Sequence, residues 1–152
     1  MSIIGNPLIL PSGGGGLEYE TGTYTPTEDI TNPTITFSNS HNGRPFFAAI
    51  LDPSGSLRSD WDYLSFFIFS HVDFCGNGIV QSSSKTIYAD YMYQYKSSDS
   101  ISTTANNITS LTGTNNYSMP TFLSTTYFKP FASTGRYFRA NRDYKWIAIW
   151  KT

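Results

Sequence analysis

The stretch Tyr144-Lys145-Trp146-Ile147-Ala148-Ile149-Trp150-Lys151 decides how the rest of the chain is read. Aromatic and β-branched residues dominate it, and such residues suit a pleated, half-buried surface. Asn141, Arg142 and Asp143 come just before it and read as a turn, because Asn and Asp bond their own backbone and tolerate unusual dihedrals. Side chains alternate across a strand. Tyr144, Trp146, Ala148 and Trp150 therefore share one face, and Lys145, Ile147, Ile149 and Lys151 the other. Both faces carry bulky apolar groups, with lysines towards the ends. Such a strand is expected to be central in its sheet and covered on both sides.

Working outward, the same signature recurs. Phe46 to Asp52 and Tyr63 to Ser70 are further runs apolar on both faces, and Thr34 to Phe37 is a short strand. Glu18 to Tyr24 alternates weakly, with Gly22 marking a bulge or a close approach. Lys85 to Tyr95 alternates clearly, placing Ile87, Ala89, Tyr91, Tyr93 and Tyr95 on one face. One or two strands fall within Ser118 to Phe131, while Ser97 to Asn116 reads as a long polar loop. Turns are marked by Asp52-Pro53-Ser54-Gly55, Gly76-Asn77-Gly78 and Gly135. No window shows a convincing helical period. Roughly seven to nine short strands separated by such turns predict an all-β fold, an antiparallel β-sandwich or barrel. Two-sided apolar strands call for a second sheet or a neighbouring subunit behind the first.

A chain of 152 residues is most simply one domain with a short extension. The extension is residues 1–16. Ile3, Ile4, Leu8, Ile9 and Leu10 are interrupted by Pro7 and followed by the run Gly13 to Gly16, an apolar arm on a flexible joint. The sandwich is assigned to residues 17–152. Charged residues make up 14% of the chain against roughly 25% in typical globular proteins, so the surface is hydroxyl and amide instead. Viral and extracellular adhesive proteins share this composition. The net charge of −1 and the lack of a basic run argue against nucleic acid as a partner. Cys75 is the single cysteine, so no intrachain disulfide is available. No Sec-type leader is legible, and no apolar run reaches the roughly 20 residues of a membrane span. Synthesis in a cytoplasm without membrane insertion is the expectation.

Chemistry-bearing motifs are sparse. On a strand, His71, Asp73 and Cys75 would line one face as weak metal candidates, with His41 or a three-fold axis completing the set. The competing reading makes His71 a singly bonded strand end and Cys75 a buried filler. Asp52, Asp60, Asp62, Asp73 and Asp90 are available as acids, but nothing marks a pair for glycoside hydrolysis. There is no Gly-x-Ser-x-Gly elbow, no P-loop and no dinucleotide glycine pattern. The expectation is a protein without catalytic residues or cofactor. Aromatics are the better lead. Trp61, Tyr91, Tyr93, Tyr95 and Tyr117 offer flat apolar faces, the tyrosines with polar tips, and Asn106, Asn107, Asn115 and Asn116 offer amides for sugar hydroxyls. Against this stands the plain alternative that each tyrosine packs in the core with its hydroxyl at the rim.

Three stretches carry a resemblance. They are Glu20 to Pro26 with Ile35-Thr36-Phe37, His41 and Pro45 to Asp52; the opening Gly5-Asn6-Pro7-Leu8-Ile9-Leu10 with its glycine run; and Tyr137 to Trp150. Together they resemble small tail-associated proteins of phages and prophages of Gram-positive gut bacteria, including receptor-binding or tail-fibre tip domains. The first stretch is also similar to the opening of H-type lectin domains. The resemblance implies an H-type-lectin-like or jelly-roll sandwich, a homotrimer, and a place in the virion as part of a phage tail. It further implies recognition of a host cell-surface carbohydrate, with residues 1–16 joining other tail proteins. A structural virion or baseplate protein with no ligand of its own is the alternative. The matching positions are core and turn residues, so no site residue carries over.

Overall fold

The computed structural model describes residues 16–54, 61–76, 80–82, 85–98, 100–112, 118–130 and 136–152. In chain order the elements are β1 (Leu17–Tyr24), β2 (Ile35–Thr36), β3 (Phe47–Leu51), β4 (Tyr63–Ser70), α1 (His71–Cys75), β5 (Val80–Ser82) and β6 (Lys85–Ile87). There follow β7 (Ala89–Ser97), β8 (Ser100–Ile108), α2 (Met119–Phe122), β9 (Tyr127–Phe128) and β10 (Tyr144–Lys151). The architecture is all-β, antiparallel and sandwich-like, as the alternation predicts.

One six-stranded sheet, ordered β1-β10-β3-β4-β7-β8, carries the molecule. The last strand lies inside it, between the first strand and β3. Its register runs from Leu17 opposite Lys151 to Tyr24 opposite Tyr144 on one side, and from Phe47 opposite Ile149 to Leu51 opposite Lys145 on the other. The β1 register is unbroken at Gly22, so that glycine marks a close approach and not a bulge. A Cβ there would sit 2.6 Å from the Trp146 indole.

Of the two faces of β10, the one with Tyr144, Trp146, Ala148 and Trp150 is the core face. Tyr144, Trp146, Ala148 and Trp150 join Ala48 and Ile50 of β3, Phe66 and Ile68 of β4, and Ala89, Tyr91 and Tyr93 of β7 in one buried cluster. The thin second layer over it consists of the β2-β9 pair, α2 and Phe138. Phe37 meets Trp150 edge-on at 4.8 Å and Phe128 meets Trp146 at 6.1 Å, geometries that aromatic quadrupoles favour. Pro120 in the first turn of α2 loses no helical bond there.

Three expectations change. First, the opposite face of β10 is not covered among the described residues. Lys145 and Lys151 are exposed, Ile147 and Ile149 are half-buried, and none of the four joins the core cluster. Second, half of the span read as a polar loop is strand, chiefly β8. β8 pairs with β7 from Ser97 opposite Ser100 to Ala89 opposite Ile108, across a tight turn in which Ser98 takes φ +48°. Its Thr and Asn residues suit a loop by composition, yet an edge strand tolerates polar side chains and needs them to stay unpaired. Third, His71 to Cys75 is a helical turn and not a strand end. Ser70 caps it by accepting from Asp73 N at 3.3 Å, a local bond that competes with continuing the ladder.

Candidate functional site

The aromatic and amide candidates separate into distinct places. Tyr91 and Tyr93 are 3% and 4% exposed, inside the core, where Tyr91 stacks on Phe122 at 4.7 Å and Tyr93 packs against Tyr63. They serve packing and present no ring to solvent, which corrects their assignment as ligand contacts. Their positions on a central strand follow from the same alternation that put them on one face. Asn115, Asn116 and Tyr117 lie outside the described residues, as do residues 1–15 of the N-terminal arm. The rest fall into two surfaces.

Trp61 and Tyr95 form the first. Trp61 is 47% exposed, whereas Trp146 and Trp150 are buried. Its backbone sits at φ +69°, a region that bulky residues rarely enter. It is fixed from both sides: Trp61 N donates to Lys96 O at 2.7 Å, and Tyr137 N donates to Trp61 O at 2.9 Å. The indole stacks on Tyr95 with centroids 5.9 Å apart and planes within 13°. The sequence reading missed the third member, Arg136. Its guanidinium lies 4.1 Å from the Tyr95 ring centre and 5.5 Å from that of Trp61, and it donates to Tyr95 Oη at 2.9 Å. That bond, with a smaller contribution from Ser102, holds the Tyr95 phenol below its ordinary range against the opposing effect of burial. The result is an aromatic plate backed by a cation, an arrangement in which each ring's quadrupole holds the guanidinium and the guanidinium fixes the ring. Arg136 is 41 positions from Tyr95 in the sequence, so no local pattern marks it.

The residue after Trp61, Asp62, centres a charge network. Asp62, fully buried, accepts from Arg139 Nε and from Arg142 Nη1 at 3.0 Å, and Asp29 accepts from Arg139 Nη1 at 2.7 Å. The Asp62 carbonyl also anchors this corner, accepting from Lys96 N at 2.9 Å. Asp52 stands 4.0 Å from Arg142. These aspartates are matched by arginines and brace the loops that carry Trp61.

Asn106 and Asn107 belong to the second surface, on edge strand β8. Both are exposed and border a groove of about 500 Å³ whose lining includes Phe47, Phe67, Phe69 and Met92. At one end Asp90 accepts from Asn107 Nδ2 at 2.6 Å and lies 2.8 Å from His71 Nε2.

The metal candidates disperse. Consecutive positions on a helix are rotated by about 100°, so Asp73 is turned away from the side that His71 and Cys75 occupy and the three no longer share a face. His71 faces Asp90, Asp73 pairs with Arg44 at 3.2 Å, and Cys75 is exposed. Among the described residues no group of three or more metal-type side chains converges. His41 has other partners. Its Nε2 is 3.0 Å from Glu20 and its Nδ1 3.1 Å from Glu18, and its ring stacks on Trp150 at 3.6 Å. Burial pushes the His41 imidazole down, but the bonds to Glu20 and Glu18 outweigh it and the net shift is upward.

No protein-family model, curated protein or solved structure matches the chain.

Proposed function

We propose that this protein is a non-enzymatic binding module of a phage tail or tail-like particle, and that it holds a host cell-surface carbohydrate against the Trp61–Tyr95–Arg136 plate. One observation carries the reading: a large exposed indole is kept rigid at φ +69° by two backbone bonds. Backbone strain of this kind costs on the order of 1–3 kcal/mol and tends to persist where a site needs it. A preset aromatic plane suits the apolar face of a sugar ring, and it loses little conformational entropy on binding. Arg136 favours sugars bearing carboxylate or phosphate. The low charge and the Ser/Thr/Asn-rich surface fit an adhesive protein.

A structural component of the same particle is the second reading. The uncovered, apolar side of the main sheet favours it, because such surfaces mark contacts with other proteins.

The test is binding of the full chain to host cells and to a glycan array, beside Trp61→Ala. Wild-type binding that falls by roughly 30-fold in the variant, the loss of a central aromatic anchor worth about 2 kcal/mol, supports the plate. Trp61 is the exposed one of three tryptophans, so ligand should also protect its fluorescence from a soluble quencher while the other two are already shielded. Binding that is unchanged by the substitution removes the plate from the site.

A further inference from the structure

The outward face of the six-stranded sheet has a layout that points to a partner. By register, Tyr19, Ile149, Phe47, Phe69, Asp90 and Asn107 form one row across the strands. Thr21, Ile147, Ala49, Phe67, Met92 and Ala105 form the next. The middle of both rows is apolar, and Phe47, Phe67, Phe69, Met92, Ile147 and Ile149 are half-buried with none of them in the core cluster. Five inter-strand spacings and these two rows span roughly 24 by 14 Å, and the next row by register, Thr23, Lys145, Leu51, Ser65, Gln94 and Thr103, extends the patch to roughly 24 by 20 Å. That is on the order of the 800 Å² per partner of a standard interface once side-chain relief is included. A sheet apolar on both sides is stable when both sides are layered.

We propose that this face is covered by the same face of a second copy of the chain, packed sheet on sheet about a two-fold axis that runs parallel to the strands between β3 and β4. Charge chooses the axis. Lys145 and Lys151 stand exposed on β10, and Asp90, its side chain 48% exposed, stands on β7. The parallel axis lays β10 over β7 of the other copy and brings Lys151 towards Asp90 of the partner subunit. The alternative in-plane axis, across the strands, lays β10 over β10 and sets lysine against lysine. The Phe-lined groove beside Asp90 then receives the Ile147 and Ile149 ridge of the partner, which closes both apolar surfaces at once. This pairing does not depend on the carbohydrate reading, and it leaves Trp61 outside the contact.

Solution mass of the full chain by light scattering, over a concentration series, tests it. The wild type is expected to be a dimer. Phe67→Asp is expected to be monomeric with an unchanged far-ultraviolet dichroism spectrum, its dissociation constant raised at least a hundredfold. Asp90→Lys is expected to weaken the dimer about tenfold, and the double variant Asp90→Lys/Lys151→Asp to restore it, a rescue that general damage to β7 would not give. A wild type that stays monomeric overturns the proposal. So does an oligomer whose mass ignores Phe67→Asp, or a charge-swapped pair that fails to recover. If the wild type is monomeric and Ile9→Asp destabilises it as Phe67→Asp does, the face belongs to the chain's own apolar residues 3–10, and the proposal falls.

Discussion

Phe66 and Phe67 are neighbours on β4 with the same side chain and opposite surroundings. Phe66 is fully buried, stacked near Tyr91 under the second layer. Phe67 is half-buried and looks onto the open groove. The strand itself does not distinguish them. What differs is the layer each meets: β2, α2 and β9, built from residues distant in sequence, on one side, and on the other only the short α1, whose Phe74 packs on Phe69 at 5.8 Å and leaves Phe67 facing the groove. The contrast separates the part of the molecule that holds the fold from the part available for contact.

The largest expected effect is at the closed face. Phe66→Ala should cost about 3–5 kcal/mol of unfolding free energy, because the ring leaves a cavity that a packed sheet cannot collapse into. Phe67→Ala, measured in denaturant at concentrations too low for association, should cost about 1 kcal/mol or less. Equal losses would mean that the open face is covered within a single chain. Next comes Gly22→Ala. The new methyl must displace the Trp146 ring, an overpacking cost of about 1–3 kcal/mol, read as a lower denaturation midpoint with an unchanged slope.

A smaller effect concerns pH at the rim of the closed face. The folded state raises His41 above its ordinary 6.5, so its contribution is fully present below pH 6.5 and fades as pH rises through the folded value. Glu20 is held below its ordinary 4.5: burial opposes this, but the amides of Ser38 and Asn39 and the His41 ring together outweigh burial. Its contribution is present above pH 4.5 and fades as pH falls through the lower folded value. Stability should therefore peak in the mildly acidic range between the two. His41→Gln should flatten the alkaline side of that profile and leave much of the acid side in place. The smallest effect on stability is at the plate. Trp61→Gly relieves a left-handed backbone and should leave the unfolding midpoint unchanged or slightly raised, while carbohydrate binding is lost. A clear loss of stability would make Trp61 a packing residue instead.

The fold was readable where a strand had one apolar face to commit. Alternation sorted Tyr144 to Trp150 and Ala89 to Tyr93 into faces, because every second side chain points the same way, but it did not say which β10 face is closed or that Tyr91 and Tyr93 are core residues. Thr103, Thr104 and Asn106 hid a strand, since an edge position is specified by pairing with β7 and not by its own polarity. His71 to Cys75 hid a helical turn, because one serine cap decides it. Trp61 and Tyr95 could be singled out as aromatics, but their partner Arg136 could not. The stack is assembled from three segments, and only the fold brings them together.

Thr152 N donates to Gly16 O at 2.9 Å, where β1 and β10 finish side by side. With residues 1–15 removed, a few glycines across that corner would turn the polypeptide into a ring, and the ring could be reopened at the β7-β8 turn near Ser98. Such a circularly permuted chain would make β1 and β10 a local hairpin instead of the most distant pairing in the sheet. Its refolding should be faster at similar stability, since the same native contacts would be reached through a smaller loop.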